Sequence, residues 1–286
     1  MFQWFDTRTA FAEAIRELEA YRVEVEAWIE TQEIVPGYCY CCEQMVLFNV
    51  AVGGYYGRHP NLREALVCPA CRLSNRNRLL YQSVMLAAQH EDAPDIAILE
   101  RMSPLFTELQ RVFPSIIGSE YLGNEVEPGA TDMLHGYPIR HESITNLSFD
   151  TGSLDFFLHC EVLGHVHDYR RALREAARVL KKDSGVMLFT VPFFMTRNKE
   201  LELARPNADG SVKFFSAPEY HSSRIRPENI LAWHHFGWGL LDDLTSAGFA
   251  NAQIGLAYDP MCGYTTNNHP TADYGLMYPL ILRAER

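Results

Sequence analysis

Apolar residues recur at helical spacing over positions 7–32 (Phe11, Ile15, Leu18, Tyr21, Val25, Trp28). No Gly or Pro interrupts them, which predicts one or two helices. SNRNRLLYQSVMLAAQ (74–89) is a second helical pattern, and MVLFNVAV (45–52), between the two, reads as a strand. From residue 95 short apolar runs alternate with helical patterns. DIAILE (95–100), SIIGSEY (115–121), YPIRHES (137–143), LDFFLHC (154–160) and GVMLFTVPF (185–193) read as strands. PLFTELQRVF (104–113), DYRRALREAARVL (168–180) and GLLDDLTSAGF (239–249) read as helices. This alternation predicts an α/β fold, with right-handed crossovers building a parallel sheet covered by helices on both faces.

Open sheets of this kind bind ligands beyond the carboxyl ends of their strands. Glu100, Glu120, Glu142 and the pair Cys160-Glu161 all fall at those predicted ends. The stretch HCEVLGHVH (159–167), with three histidines, a cysteine and a glutamate, therefore begins where a pocket floor is expected. A three-histidine metal site fits poorly, because His159 lies inside the predicted strand while His165 and His167 lie in the following turn. His165 alone could act as a general base near neutral pH, or could cap and pack the turn.

The 286 residues suffice for one large domain, or one domain with a small appendage, and 47% hydrophobic residues supply an ordinary core. A net charge of −11 argues against nucleic acid as a partner, since phosphate binding needs clustered Lys and Arg. No run approaches 18 apolar residues, so no membrane span is expected. The opening MFQWFDTRTAFAEAIREL lacks the apolar centre of a secretory signal, so a cytoplasmic protein is expected.

Four of the seven cysteines form two C-x2-C pairs, Cys39/Cys42 and Cys68/Cys71, with 25 residues between them. Four thiolates make a closed tetrahedral zinc site with no position for substrate, so the metal would be structural. Cys41 blurs the first pair, and ordinary free cysteines are the alternative.

The segments VCPACRLSNRNR (67–78), IIGSEYL (116–122), RHESITNLSF (140–149), SLDFFLHCEVLGHVHDYRRALREAARVL (153–180), GVMLFTVPF (185–193), PEYH (218–221) and HFGWGLLDDLTSAGF (235–249) occur in a telling order. Together they resemble class I S-adenosylmethionine-dependent methyltransferases. More narrowly, they resemble type 11 methyltransferase-domain proteins with an N-terminal cysteine-rich segment. The resemblance covers roughly residues 38–265.

It implies that Glu120, 20 residues after Glu100, binds the cofactor ribose, with Glu100 and Tyr121 beside it. Adenine would be read around Glu142, Ser143 and Ile144, and the methionine part would pass Cys160 and Glu161. Three departures stand out. The turn after the first strand is LERMSP, with no glycine between residues 96 and 117, and EVLGHVHDY stands where relatives read DVLEHVPDY. PEYH is followed by Ser-Ser-Arg instead of Gly-Asp-Pro. The aromatic-rich stretch 218–238 is expected to cap the substrate, with His221 its best site residue.

The expected organisation is a helical segment (1–37), a zinc-ribbon-like segment (38–72) and a Rossmann-like cofactor-binding domain (73–286) whose cap spans about 194–238. The expected activity is methyl transfer from S-adenosylmethionine to a small molecule, with His165 and His221 catalytic. Alternatives are cyclisation or aminocarboxypropyl transfer from the same cofactor, and a non-enzymatic zinc-ribbon adaptor. The oligomeric state is not legible in the sequence.

Overall fold

The computed structural model describes residues 2–222, 225, 228–269 and 275–286. Seven strands form its main sheet: β1 (Gln3–Phe5), β2 (Ile96–Ile98), β3 (Ile117–Gly118), β4 (Phe156–Cys160), β5 (Val186–Thr190), β6 (Asn251–Leu256) and β7 (Leu280–Glu285). Their order is β1-β6-β7-β5-β4-β2-β3. The four strands β3, β2, β4 and β5 are parallel, whereas β7, β6 and β1 join antiparallel. The sheet is therefore Rossmann-like but mixed, and the parallel part coincides with the region where strands and helices alternate in the sequence.

β4 (FFLHC) and β5 (VMLFT) are apolar almost throughout because both faces of the sheet are covered. One face carries α4 (Tyr169–Val179) and α5 (Gly239–Ala247), which bury Leu173, Ala176 and Leu244 against Phe157 and Phe189. The other face carries α2 (Asn75–Ala87) and α3 (Pro104–Val112). Of these four helices α2, α3 and α4 start at a side-chain cap, whereas α5 starts at Trp238 without one. The Asp168 carboxylate accepts the Arg171 N–H at 3.0 Å, and the Ser103 hydroxyl accepts the Phe106 N–H at 3.2 Å just before Pro104.

The hairpin Ile34–Cys39/Gln44–Asn49 contains the expected strand at 45–52. Val35, Phe48, Leu62 and Leu66 of the cysteine-rich segment lie in the same core as Leu80, Ile98, Leu158 and Leu188. That segment is thus packed onto the sheet, in continuity with it.

One sequence expectation is corrected, and two features were not foreseen. YPIRHES is not a third parallel strand: Tyr137–Arg140 pairs antiparallel with Thr131–Leu134, and one parallel bridge, Glu120 to His141, ties it to the sheet. His135 and Gly136 both have positive φ (50° and 85°), as a tight two-residue hairpin turn requires, so local turn chemistry decides the pairing. The helical pattern at 7–32 forms a single helix, α1 (Arg8–Glu30), but Tyr21 and Trp28 are half exposed. Arg22 and Glu26 are buried in their place, because Glu26 pairs with Arg22 at 3.0 Å and accepts the Thr266 N–H at 2.7 Å. Finally β1, unforeseen, closes the sheet edge at β6.

Candidate functional site

The four paired cysteines converge. Their sulfurs all lie within 4.8 Å of one another, with Cys39–Cys71 at 3.7 Å and Cys42–Cys68 at 3.8 Å. Four sulfurs at about 2.3 Å from one tetrahedral ion stand about 3.8 Å apart, so the set fits zinc. Cys41 is outside the cluster. Burial pushes the Cys42 thiol up to about 11, and the neighbouring Cys39 adds to this. A divalent cation would offset that penalty by holding the sulfurs as thiolates. Beside the cluster the fully buried Arg78 donates to the carbonyls of Leu66 (2.5 Å), Leu73 (3.0 Å), Cys262 (3.2 Å) and Gly263 (3.3 Å). Its guanidinium also lies 4.1 Å from the centre of the Phe48 ring.

At the carboxyl edge of the parallel strands, one oxygen of Glu120 accepts the backbone N–H groups of Arg101 (2.7 Å) and Met102 (2.8 Å). The glycine-free turn after β2 is thus held by the very carboxylate that follows β3. Burial raises the pKa of Glu120, and these two bonds oppose the rise. Glu100, just past β2, has a buried oxygen Oε2 with no hydrogen-bond partner among the described residues. Tyr121 and Ser143 line a cavity of about 250 Å³ together with His141, Asn146 and Arg171.

Ile144 instead points into the core. Glu142 is committed inward, to Arg140 at 2.9 Å and to the Ser148 N–H at 2.9 Å, which fixes the loop behind the cavity. A larger cavity of about 660 Å³ lies between the Cys71-Arg72 turn, α3 and residues 137–139. None of the strand-end acids lines either cavity; the smaller is lined by Tyr121 and Ser143, and the larger by Arg101 and Met102, whose backbone Glu120 holds.

Cys160 and Glu161 end β4 on this same edge. Glu161, with a positive φ of 56°, pairs with Arg63 at 2.8 Å and lies 3.8 Å from Arg76. Glu64 bridges the same arginines, at 2.6 Å and 2.9 Å, making a balanced four-charge network. Burial by itself would raise the pKa of Glu161, but Arg63 and Arg76 prevail and hold it at about 2. The Cys160 thiol is pushed well up, by burial and then by Glu100.

Because the folded pKa of Glu161 is below the unfolded value of about 4.3, its stabilisation is complete above that pH and lost as pH falls toward 2. Thermal melts between pH 5 and 2 should therefore show a shallower pH dependence for Glu161→Gln than for the unaltered chain, by an amount on the order of 3 kcal/mol across the window. Parallel curves would remove Glu161 from this role. Arg63 and Arg76 carry no sequence signal, since they lie some 85–98 positions from Glu161.

The three histidines of the opening cluster separate. His159 is fully buried against Phe189, with ring centroids 4.7 Å apart, and burial draws its pKa down to about 3. It is a neutral core residue. His167 packs near Trp233, and its carbonyl accepts a hydrogen bond from His234 Nε2 at 3.0 Å. His165 joins a chain with the cap. Its Nδ1 faces the Leu231 carbonyl at 3.0 Å, and its Nε2 lies 3.2 Å from His221 Nδ1. His221 Nε2 meets Glu219 Oε1 at 2.8 Å, and His235 Nε2 meets Glu219 Oε2 at 2.8 Å.

The Leu231 carbonyl accepts the proton on His165 Nδ1, so a neutral His165 ring turns the lone pair of Nε2 toward His221. Burial lowers the pKa of His165, the Leu231 carbonyl opposes this, and the charge of His221 lowers it further. Trp233 is tied to this turn by its N–H, which donates to the Gly164 carbonyl at 2.8 Å. Ser223 and Arg224, part of the altered PEYHSSR segment, lie outside the described residues.

Residues 104–189 match a family model described as a methyltransferase domain. No curated protein matches the chain. Among solved structures, an S-adenosylmethionine-dependent methyltransferase from Mesorhizobium loti is 16% identical, with 74% of this chain and 98% of that one covered and a TM-score of 0.44. The 1,6-didemethyltoxoflavin-N1-methyltransferase of Burkholderia thailandensis, with its substrate and S-adenosylhomocysteine bound, is 15% identical, with 73% and 78% covered and a TM-score of 0.37. Likenesses this distant carry no argument about substrate, and the weight rests on the family match. Residues 104–189 thus match a methyltransferase domain, and they lie within a Rossmann-like, mixed α/β sheet.

Proposed function

We propose that the protein transfers a methyl group from S-adenosylmethionine to a small-molecule acceptor that loses a proton in the reaction. The observation that carries this reading is the position of Glu100, Glu120 and the Tyr121–Ser143 cavity at one sheet edge, within or just before the residues that match a methyltransferase domain. The partnerless oxygen of Glu100 suits a cationic group, and Glu120, with one oxygen on the turn, can accept ribose hydroxyls with the other. When bound, the sulfonium supplies an already activated methyl group, so the chain has mainly to position the acceptor and take its proton. His165 Nε2 is the lone pair suited to that proton. The acceptor's hydroxyl or amine would take the place of His221 in the 3.2 Å contact, while Glu219 and His235 hold the His221 ring.

The cysteine cluster is read as a structural zinc site that braces the turn carrying Arg63 and the start of α2, which carries Arg76. A small acceptor agrees with the cap over His165 and with the acidic surface, which does not suit nucleic acid. Among the described residues no helix is long and apolar enough to cross a membrane, and we assign the protein to the cytoplasm.

The test is incubation with S-adenosylmethionine, alone and with hydroxyl- and amine-bearing small molecules, followed by mass spectrometry. Acceptor-dependent S-adenosylhomocysteine supports methyl transfer. Methylthioadenosine would replace this reading with cyclisation or aminocarboxypropyl transfer, and absence of cofactor binding by calorimetry would leave an adaptor. Glu120→Ala should weaken cofactor binding about tenfold or more, the scale of a lost charge-assisted hydrogen bond. Unchanged affinity would count against this cofactor placement.

A further inference from the structure

Far apart in sequence, Glu30, His59 and His269 meet at one point. Glu30 ends α1, His59 lies in the cysteine-rich segment, and His269 follows the tract that receives Glu26. One ring nitrogen from each histidine and a carboxylate oxygen lie within 4.8 Å of one another. His269 Nε2 is 2.5 Å from Glu30 Oε2, and His59 Nδ1 contacts Oε1. The two rings stand 3.8 Å apart at 31°. Asn268 Nδ2 donates to Glu30 Oε2 at 2.8 Å and steadies the carboxylate.

Apolar packing does not explain this arrangement, because the histidine side chains are 33% and 37% exposed. What the three groups share is the direction of their donor atoms, two imidazole nitrogens and one carboxylate converging on a single space. We propose that Glu30, His59 and His269 bind a divalent transition-metal ion of the zinc type.

Two imidazoles and a carboxylate are a ligand set suited to such an ion, and three protein ligands leave a position for water. As ligands, the neutral rings carry their protons on the far nitrogens, His59 Nε2 and His269 Nδ1. Arg58 Nε, 3.4 Å from His59 Nε2, then has to turn away. One carboxylate against a dication leaves the site with a single positive charge. The ion would clip the end of α1 and the cysteine-rich segment to the tract at 265–269. This site is distinct from the closed four-sulfur cluster in donor type and in openness.

The full chain, carrying its tightly held thiolate-bound metal, would be titrated with Zn2+ and with Co2+. A second equivalent is expected, and its cobalt form should show weak visible bands without the strong near-ultraviolet absorption of a cobalt–thiolate bond. His59→Ala and His269→Ala should each weaken this equivalent by at least about tenfold to hundredfold, since even outer-shell partners matter on that scale. Cys68→Ser should remove the thiolate signature and spare the second equivalent. Should His59→Ala disturb folding, His269→Gln gives the same readout from the tract at 265–269. A single equivalent in the unaltered chain, or a second one untouched by both histidine changes, overturns the proposal. Methyl transfer does not enter any of these readouts.

Discussion

Cys68→Ser is expected to lower the melting temperature by about 10 °C or more. Loss of a metal ligand belongs to the few changes that cost more than about 4 kcal/mol, and in a chain of this size each kcal/mol shifts the midpoint by roughly 2–4 °C. The effect should be global because the cysteine-rich segment shares a core with the sheet through Phe48, Leu62 and Leu66. It should also reach the strand ends, since Arg63 lies five residues before Cys68 and holds Glu161. Metal analysis should find about one thiolate-bound zinc per chain. A fully folded protein without it, melting at the same temperature, would refute the assignment.

His165→Gln should reduce turnover by about a hundredfold to ten-thousandfold, the range for loss of a general base, while cofactor affinity stays within about twofold. Glutamine can still donate to the Leu231 carbonyl, which His165 Nδ1 holds at 3.0 Å, but it cannot accept a proton near neutral pH. The pH profile adds a second readout. Burial keeps His165 neutral to lower pH than a free imidazole, so the acidic limb of turnover should lie below the usual histidine range and disappear in the variant. If His165 only braces the turn, the same change will lower the melting temperature and leave the rate of the folded fraction intact.

The sequence revealed the elements whose signals are local and unopposed. β4 and β5 are unbroken apolar runs, α4 has its Asp168 cap and a regular arginine face, and the paired cysteines carry their own spacing. Where two signals competed, the shorter-range one prevailed. YPIRHES has the alternation of a sheet strand, but the His135-Gly136 turn pairs it with its neighbour first.

The candidate site was legible in the same proportion. Glu100 and Glu120 could be placed at the sheet edge from their strand ends, whereas Ser143 was expected there from YPIRHES, which is not a strand of the main sheet and meets that edge only through the Glu120–His141 bridge. Glu142 turns inward because Arg140, two residues away, lies within reach. The arginines against Glu161, and the meeting of Glu30 with His59 and His269, are products of tertiary contact alone. No periodicity or spacing within a window announces them.

The ties between the two ends of the chain bear on the order in which it is built. Arg78 waits on the carbonyls of Cys262 and Gly263, Asn75 on Thr265, and Glu26 on Thr266. At a synthesis rate of roughly 5–20 residues per second, the partners of Arg78 emerge about 10–40 s after it does. Through that interval α1, the cysteine-rich segment and α2 are out of the ribosome with Arg78 and Glu26 holding only their local partners, Leu66, Leu73 and Arg22. Their final docking therefore waits for residues 262–266 to emerge, and until then the nascent segment before them is the stage most exposed to chaperones and proteases.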